Sequence, residues 1–147
     1  MLLQDQQYIK INQILFSIVN AYESRLSKEK ENKNGLSISE KGIIMILGQL
    51  GTVNSKTLSR TMDINPGTIS LYVERLVRKS LVERRRDEQD RRNWLLLLTR
   101  KGKTEYEETC RGSVEYTSGI LEALTQKEQE RLFELLDKVS KHNNYNW

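Results

Sequence analysis

Glu83-Arg84-Arg85-Arg86-Asp87-Glu88-Gln89-Asp90-Arg91-Arg92-Asn93-Trp94-Leu95-Leu96-Leu97-Leu98-Thr99-Arg100-Lys101-Gly102 sets the densest charge of the chain beside its densest apolar run. Leu81 and Val82 open a strand that ends in three arginines, a polar stretch carrying Arg91 and Arg92 follows, and a Trp/Leu strand returns. That order predicts a β-hairpin whose strands pack on a core while its tip projects into solvent. In the returning strand Trp94, Leu96 and Leu98 share one face and Leu95 and Leu97 the other, because side chains alternate along a strand. Leucines on both faces predict a strand covered on two sides, or an apolar patch turned toward a partner. Thr99 can cap a following helix, which places Arg100, Lys101 and Lys103 in its first turn, where the macrodipole disfavours cations. A nearby DNA backbone would compensate them.

Immediately upstream, Asn54 or Ser55 can cap a short helix over Lys56–Met62, with Leu58 and Met62 on one face. Asp63-Ile64-Asn65 is a tight polar turn with Ile64 as its apolar anchor, and Pro66 is the only proline. Proline loses no needed donor at the first position of a helix, so Asn65 is the natural cap and Pro66 the first helical residue. The helix predicted over Pro66–Lys79 buries Ile69, Val73 and Leu76 together with Tyr72, and turns Thr68, Ser70, Leu71, Glu74, Arg75 and Arg78 to other faces. Two helices joined by a three-residue turn form a helix-turn-helix, whose second helix would enter a DNA major groove. Thr68 and Ser70 are small enough to let its first turns approach base edges, and Arg75 can reach a guanine edge or a phosphate.

Charge agrees with that placement. Residues 55–103 hold 13 Lys/Arg against 6 Asp/Glu, a net of +7, which leaves −3 for the rest of a chain whose total is +4. Basic charge gathered in one third of the chain is the footprint of a phosphate-binding surface with a weakly acidic body behind it.

Further out lie the remaining helices. Ser39 is placed to cap one reaching Leu50, whose Ile43, Ile44, Ile46, Leu47 and Leu50 make it central to the core, with Gly48 and Gly51 weakening or closing its far end. From Gln4 to Glu31, Ile11, Leu15, Ile18, Tyr22 and Leu26 recur every three or four residues, which predicts a long amphipathic helix. The run from Ser27 to Gly35 has no apolar residue and reads as a helix end and a loop. From Lys101 to Leu124, Tyr106, Cys110, Val114, Thr117, Leu121 and Leu124 step along one face. Thr125-Gln126-Lys127-Glu128 is a capping box opening a last helix with Leu132, Leu135, Leu136 and Val139 as its stripe, before the tail Tyr145-Asn146-Trp147. Apolar helices at both ends of the chain need a partner surface, and a second copy of the chain is the expectation.

Other chemistries find no support. The chain has one histidine, His142, and one cysteine, Cys110, so it offers neither a zinc ligand set nor a nucleophile with its base. Cys110 reads as a buried core thiol, and no glycine-rich phosphate loop occurs. No enzyme activity, metal or cofactor is expected. A single cysteine requires no oxidising compartment, and no run approaches the roughly 18 apolar residues of a membrane span. A soluble cytoplasmic protein is the expectation.

These residues resemble the MarR family of winged-helix transcription regulators. Asp90-Arg91-Arg92, an apolar strand and Leu98-Thr99-Arg100-Lys101-Gly102 are similar to the family's wing pattern of Asp-x-Arg, strand, then Leu-Thr-x-x-Gly. Ile38-Ser39, the helix pair from Asp63 to Leu76, and Leu124-Thr125 with Glu128 support it, so that the resemblance spans nearly the whole chain. It implies that Arg92 enters a minor groove as the wing-tip arginine, where narrow walls concentrate negative potential. It further implies that Asp90 holds Arg92 or its neighbours by a charge-assisted hydrogen bond and that Arg84, Arg86 and Arg91 contact phosphate. One departure is Ser80, where the family usually has glycine, at a position that often needs a left-handed backbone. The resemblance also implies a small, often aromatic or anionic, effector between the dimerisation helices and the DNA-binding lobe, with Tyr22, Tyr106, Tyr116 and Trp94 as candidate lining.

The expected molecule is thus mainly α with a small β-hairpin wing, a winged helix-turn-helix (residues 35–103) flanked by an N-terminal dimerisation helix (1–34) and by C-terminal helices completing the dimerisation region (104–147). Its expected DNA-facing residues are Asn65, Pro66, Thr68, Ser70, Leu71 and Arg75 from the helix and Arg84, Arg86, Asp90, Arg91 and Arg92 from the wing. The expected function is that of a homodimeric repressor of a pseudo-palindromic operator in double-stranded DNA, released by a small ligand. The alternative is a winged-helix protein-interaction module in which the same basic surface engages an acidic protein.

Overall fold

The chain divides into two compact units, residues 1–38 and 39–147, of which the computed structural model describes 4–28 and 32–144. The expected last turn of the first helix, through Glu31, and the tail Tyr145-Asn146-Trp147 lie outside the described residues. In the first unit α1 (Asp5–Lys28) is the long helix that the apolar period predicts. Behind it Asn32 organises the loop. Its side-chain amide donates to the Leu26 carbonyl (3.1 Å) and the Leu36 carbonyl (3.1 Å), and its oxygen accepts from the Leu36 N–H (2.9 Å).

From Ser39 on, α2 (Ile38–Leu50) belongs to the second unit. This helix already begins at Ile38, so Ser39 sits inside its first turn rather than at the cap, a shift of the size by which helix ends ordinarily vary. Ile43, Ile44, Ile46 and Leu47 are essentially sealed from solvent, whereas Leu50, expected in the core, is 58% exposed. The helix stops there because Gly51 adopts φ +81°, a left-handed conformation open to glycine, while its N–H donates to Leu47. Gly48 has a different use: a β-carbon there would collide with the Tyr106 ring, so its absence lets that ring lie against α2.

Strand β1 (Val53–Asn54) pairs with the hairpin and was not expected, since two residues carry no period to read. Asn54 then caps α3 (Ser55–Met62), accepting from the Thr57 N–H at 2.8 Å. At its end Asp63 turns left-handed (φ 52°) and Ser59 donates its hydroxyl to the Ile64 carbonyl (2.6 Å). Ile64 is half-buried in this turn. Asn65 caps α4 (Pro66–Arg78) as expected, accepting from the Thr68 N–H at 2.9 Å with Pro66 at the first helical position. Ile69, Val73 and Leu76 are buried while Tyr72 is only half-buried. Lys79 is the C-cap rather than the last helical residue.

The chain leaves α4 through Ser80 at φ 59°. The Ser80 N–H donates to Val77 (2.9 Å) and the Leu81 N–H to Leu76 (3.0 Å), the paired bonds of a Schellman ending. β2 (Val82–Arg86) and β3 (Trp94–Leu98) form the hairpin, and the antiparallel order β1-β3-β2 makes β3 the central strand. Leu96 and Leu98 are buried, and Leu95 and Leu97 half-buried, which accounts for leucines on both faces of β3. Leu58, Ile69, Val73, Leu76, Leu81, Val82 and Leu96 join the α2 isoleucines in one core, each large side chain there contributing about 1.5–3 kcal/mol.

Thr99 caps α5 (Arg100–Ile120), accepting from the Gly102 N–H at 3.0 Å. The buried row of α5 is Gly102, Glu105 and Thr109. The expected stripe of Tyr106, Cys110 and Val114 lies beside that row, with Tyr106 and Cys110 half-buried and Val114 68% exposed, and the helix ends at Ile120, short of Leu124. Small and hydrogen-bonding side chains take the tight contact, and the apolar stripe runs along its margin, half-buried at Tyr106 and Cys110 and exposed by Val114. α6 (Gln126–His142) starts with the expected capping box of Thr125 and Glu128. The architecture is a winged helix-turn-helix in a mainly helical chain.

Candidate nucleic-acid interface

On α4 the residues opposite the core row form an outer stripe: Ser70, Leu71, Glu74, Arg75 and Arg78 are exposed and Thr68 stands half-buried at its edge. Leu71 is 56% exposed, an apolar side chain presented outward. Arg78 is tied to Glu74 one turn earlier, while the Arg75 guanidinium makes no ion pair or hydrogen bond among the described residues. Asn65 and Pro66 are exposed, but the Asn65 side chain is engaged as the cap.

The wing is ordered by its own polar groups. Asp87 N–H donates to the Asn93 carbonyl (3.1 Å) and Asn93 N–H to the Asp90 carbonyl (2.9 Å). Asp87 Oδ1 accepts from the Gln89 N–H (2.9 Å). Asp90, expected to hold Arg92 or its neighbours, does so through the Arg92 backbone and not its guanidinium: its Oδ1 accepts from the backbone N–H of Arg92 (3.1 Å) and its Oδ2 from the Asn93 amide (3.3 Å). Arg92, Arg91 and Arg84 are exposed, and their guanidinium groups make no ion pair or hydrogen bond among the described residues. Arg85 is paired with Glu83 at 3.0 Å.

Arg86, expected to contact phosphate, is engaged within the wing. Its Nη1 donates to the carbonyl of Arg91 (3.1 Å), and its guanidinium lies 4.9 Å from the Trp94 ring centroid. Arg86 and Trp94 are cross-strand partners, so the pairing was contained in the hairpin register, which sequence reading left uncounted. Lys101 is engaged within the chain as well. Its Nζ donates to the carbonyl of Lys79 at the C-terminus of α4 (2.9 Å), so the negative end of one helix compensates the cation that α5 carries at its positive end. A DNA phosphate is not needed to explain it.

Behind the wing, a cleft of about 400 Å³ lies between α2, β3 and α5, lined by Leu47, Leu97, Leu98, Lys103, Tyr106 and Glu107 among others. Of the four aromatics expected around an effector, Tyr106 lines it, and Trp94 stands on the wing under Arg86. Hydrogen bonding with the Cys110 thiol, then the charge of that thiol and burial, push the Tyr106 phenol above its ordinary value of 10.0. Cys110 itself is half-buried, its Sγ 3.6 Å from Met45 Sδ. Among the described residues no group of three or more His, Cys, Asp or Glu could hold a metal ion, and no helix is long and apolar enough to cross a membrane.

The sequence model of the MarR family matches residues 36–94, the span from the loop before α2 to the start of β3. A solved structure of a MepR-like protein, complexed with pseudoligands, is 32% identical over 88% of this chain and 91% of its own, with a TM-score of 0.63. The chain belongs to the MarR family. Two further MarR-type relatives bear on function. The HTH-type transcriptional regulator BilQ of Clostridium symbiosum is 29% identical over 78% of this chain and 79% of its own length. FabT of Streptococcus pneumoniae, solved in complex with DNA, is 27% identical with a TM-score of 0.76, covering 93% of this chain and 97% of that one. MarR-family proteins are transcriptional regulators and not enzymes, in keeping with the chemistry expected of this chain.

Proposed function

We propose that this chain is a sequence-specific regulator of transcription that binds double-stranded DNA as a homodimer, acting as a repressor at a pseudo-palindromic operator. The observation that carries the reading is the pattern of engagement among the arginines. Arg78 and Arg85 are neutralised within the chain, whereas Arg75 on the outer stripe of α4 and Arg84, Arg91 and Arg92 on the wing are exposed with free guanidinium groups among the described residues. These are the two surfaces that a winged helix presents to a duplex. In this reading Thr68, Ser70, Leu71 and Arg75 meet the major groove, with Asn65 and Pro66 setting where α4 begins. Arg92 enters the flanking minor groove, and Arg84 and Arg91 meet phosphates. That FabT, 27% identical, was solved in complex with DNA supports DNA binding as the activity.

The cleft behind the wing would take the effector. Its volume lies in the range of small-molecule sites, and Lys103 gives it one cation to meet an anionic ligand. Occupancy between α2, β3 and α5 would bias the wing and thereby release DNA.

Selection of bound duplexes from a randomised pool at near-physiological salt tests the function. Enrichment of a two-fold related motif, with half-site centres about one helical turn (roughly 34 Å) apart, is the expected result. Retention without enrichment would reduce the surface to a generic phosphate binder. No retention would favour the protein-interaction module.

A further inference from the structure

The peptide bond between Arg91 and Arg92 is gripped from both sides. Its carbonyl oxygen accepts from the Arg86 guanidinium (3.1 Å), and its N–H donates to the Asp90 carboxylate (3.1 Å). A cation thus meets the negative end of the peptide dipole and an anion the positive end, and charge-assisted bonds of this kind are about twice as strong as neutral ones. The two grips come from different parts of the hairpin. Asp90 acts locally, whereas Arg86 reaches across from the last position of β2, opposite Trp94. Trp94 supplies the platform. It is 47% exposed although it lies on the same strand face as the buried Leu96 and Leu98, and the guanidinium covers its ring at 4.9 Å. A planar guanidinium on an indole face keeps its in-plane N–H groups free to donate, here toward Arg91.

We infer that Arg86, seated on Trp94, is a positioning residue of the wing: it clamps the Arg91–Arg92 peptide and so aims both exposed arginines, and it neutralises no phosphate itself. This inference rests on the DNA-binding reading above. The physical reason is entropy. The tip from Asp87 to Asn93 has no apolar anchor, and each residue left free must be ordered when DNA binds, at a cost that pre-ordering removes. Fixing one peptide plane sets the backbone torsions on both sides of it, ψ of Arg91 and φ of Arg92, from which the two side chains depart.

The test measures binding of the full-length protein to a labelled duplex of about 30 base pairs carrying the selected motif, long enough for two half-sites one turn apart, across a salt series. Arg86→Ala and Trp94→Ala are each expected to weaken binding about five- to tenfold, as loss of one exposed cation–π contact together with its coupled hydrogen bond would. The double variant should be no weaker than either single one, because both changes break the same device. Trp94→Tyr keeps an aromatic face and should stay within about twofold of the parent. The slope of log affinity against log salt should be unchanged in all of these, whereas Arg92→Ala should flatten it by about one per subunit. Thermal melting of each variant separates a lost wing from a lost fold. A flattened slope for Arg86→Ala with a harmless Trp94→Ala would make Arg86 a phosphate ligand and overturn the inference, as would full affinity in both. Failure of the parent protein to hold any duplex would instead overturn the DNA-binding reading itself, before any variant is compared.

Discussion

A β-carbon at Gly102 would fall inside the van der Waals shell of the Leu81 carbonyl oxygen, which already accepts from the Thr99 N–H at 3.1 Å. This is where the first turn of α5 lies against the exit from α4, and backbone on backbone leaves nothing flexible to yield. Gly102→Ala is therefore expected to destabilise by about 2–4 kcal/mol, in the range of overpacked buried sites, seen as a lower urea midpoint at unchanged m-value. One step away, Ser80 holds φ 59° with its carbonyl accepting from the Thr99 hydroxyl at 2.6 Å. A left-handed backbone costs a non-glycine residue about 1–2 kcal/mol, partly offset by the extra entropy that glycine loses on folding. Ser80→Gly should raise stability by about 0.5–1 kcal/mol, and an unchanged or lower melting temperature would show that the serine side chain repays its strain. Both positions are visible in the bare sequence, as a glycine that the wing pattern contains and a serine where the family usually has glycine. The contact that makes them matter, the Leu81 carbonyl between them, is not visible, because it brings together residues about twenty apart in the chain.

At the scale of elements, what could be read was what repeats or what caps. Asn65-Pro66, Thr99 and Thr125 with Glu128 each announce a helix start, and each side chain accepts the expected backbone N–H. β1 escaped because two residues have no alternation. The face of α5 was misjudged by about one position because Gly102 and Thr109, which make the tight contact, carry no apolar signature. The wing's internal clamp escaped for another reason: it depends on pairing Arg86 with Trp94 across a turn whose length must first be known. The capping box also yields a pH dependence. Glu128 accepts from the Thr125 N–H (2.8 Å) and hydroxyl (2.9 Å), which holds its carboxyl below the ordinary value of 4.5. A carboxyl lowered on folding contributes stability above 4.5 that is lost as pH falls through the lower folded value. Thr125→Ala should lower stability by about 1 kcal/mol at neutral pH. Glu128→Gln should melt earlier than the parent at neutral pH and converge with it in acid below the folded value. A difference between them that persists at the acid end would assign the effect to something other than this carboxylate.

At the scale of the whole molecule the outstanding feature is apolar surface on the terminal helices. Leu15, Phe16 and Val19 of α1 are 52%, 67% and 53% exposed, and Phe133, Leu136 and Val139 of α6 are 71%, 53% and 53% exposed. Apolar side chains clustered on helix faces, rather than scattered singly, mark an association surface. A closed two-fold pairing is the commonest way for a chain to cover such faces with itself, and a stable one buries more than about 1,000 Å². A self-paired chain also meets the demand of the proposed DNA reading for two α4 helices held one turn apart. The dimer is thus expected to be obligatory for tight binding. Leu136→Glu combined with Val139→Glu places two carboxylates on that face of α6 without touching the core around α2 and β3. The variant should sediment as a monomer while keeping its helical circular dichroism. Its affinity for the selected duplex should fall by more than about 100-fold, since each half-site would be bound without the effective concentration supplied by the other. A parent protein that sediments as a monomer, or a variant that stays dimeric, would send the search for the partner of these helices to a different chain.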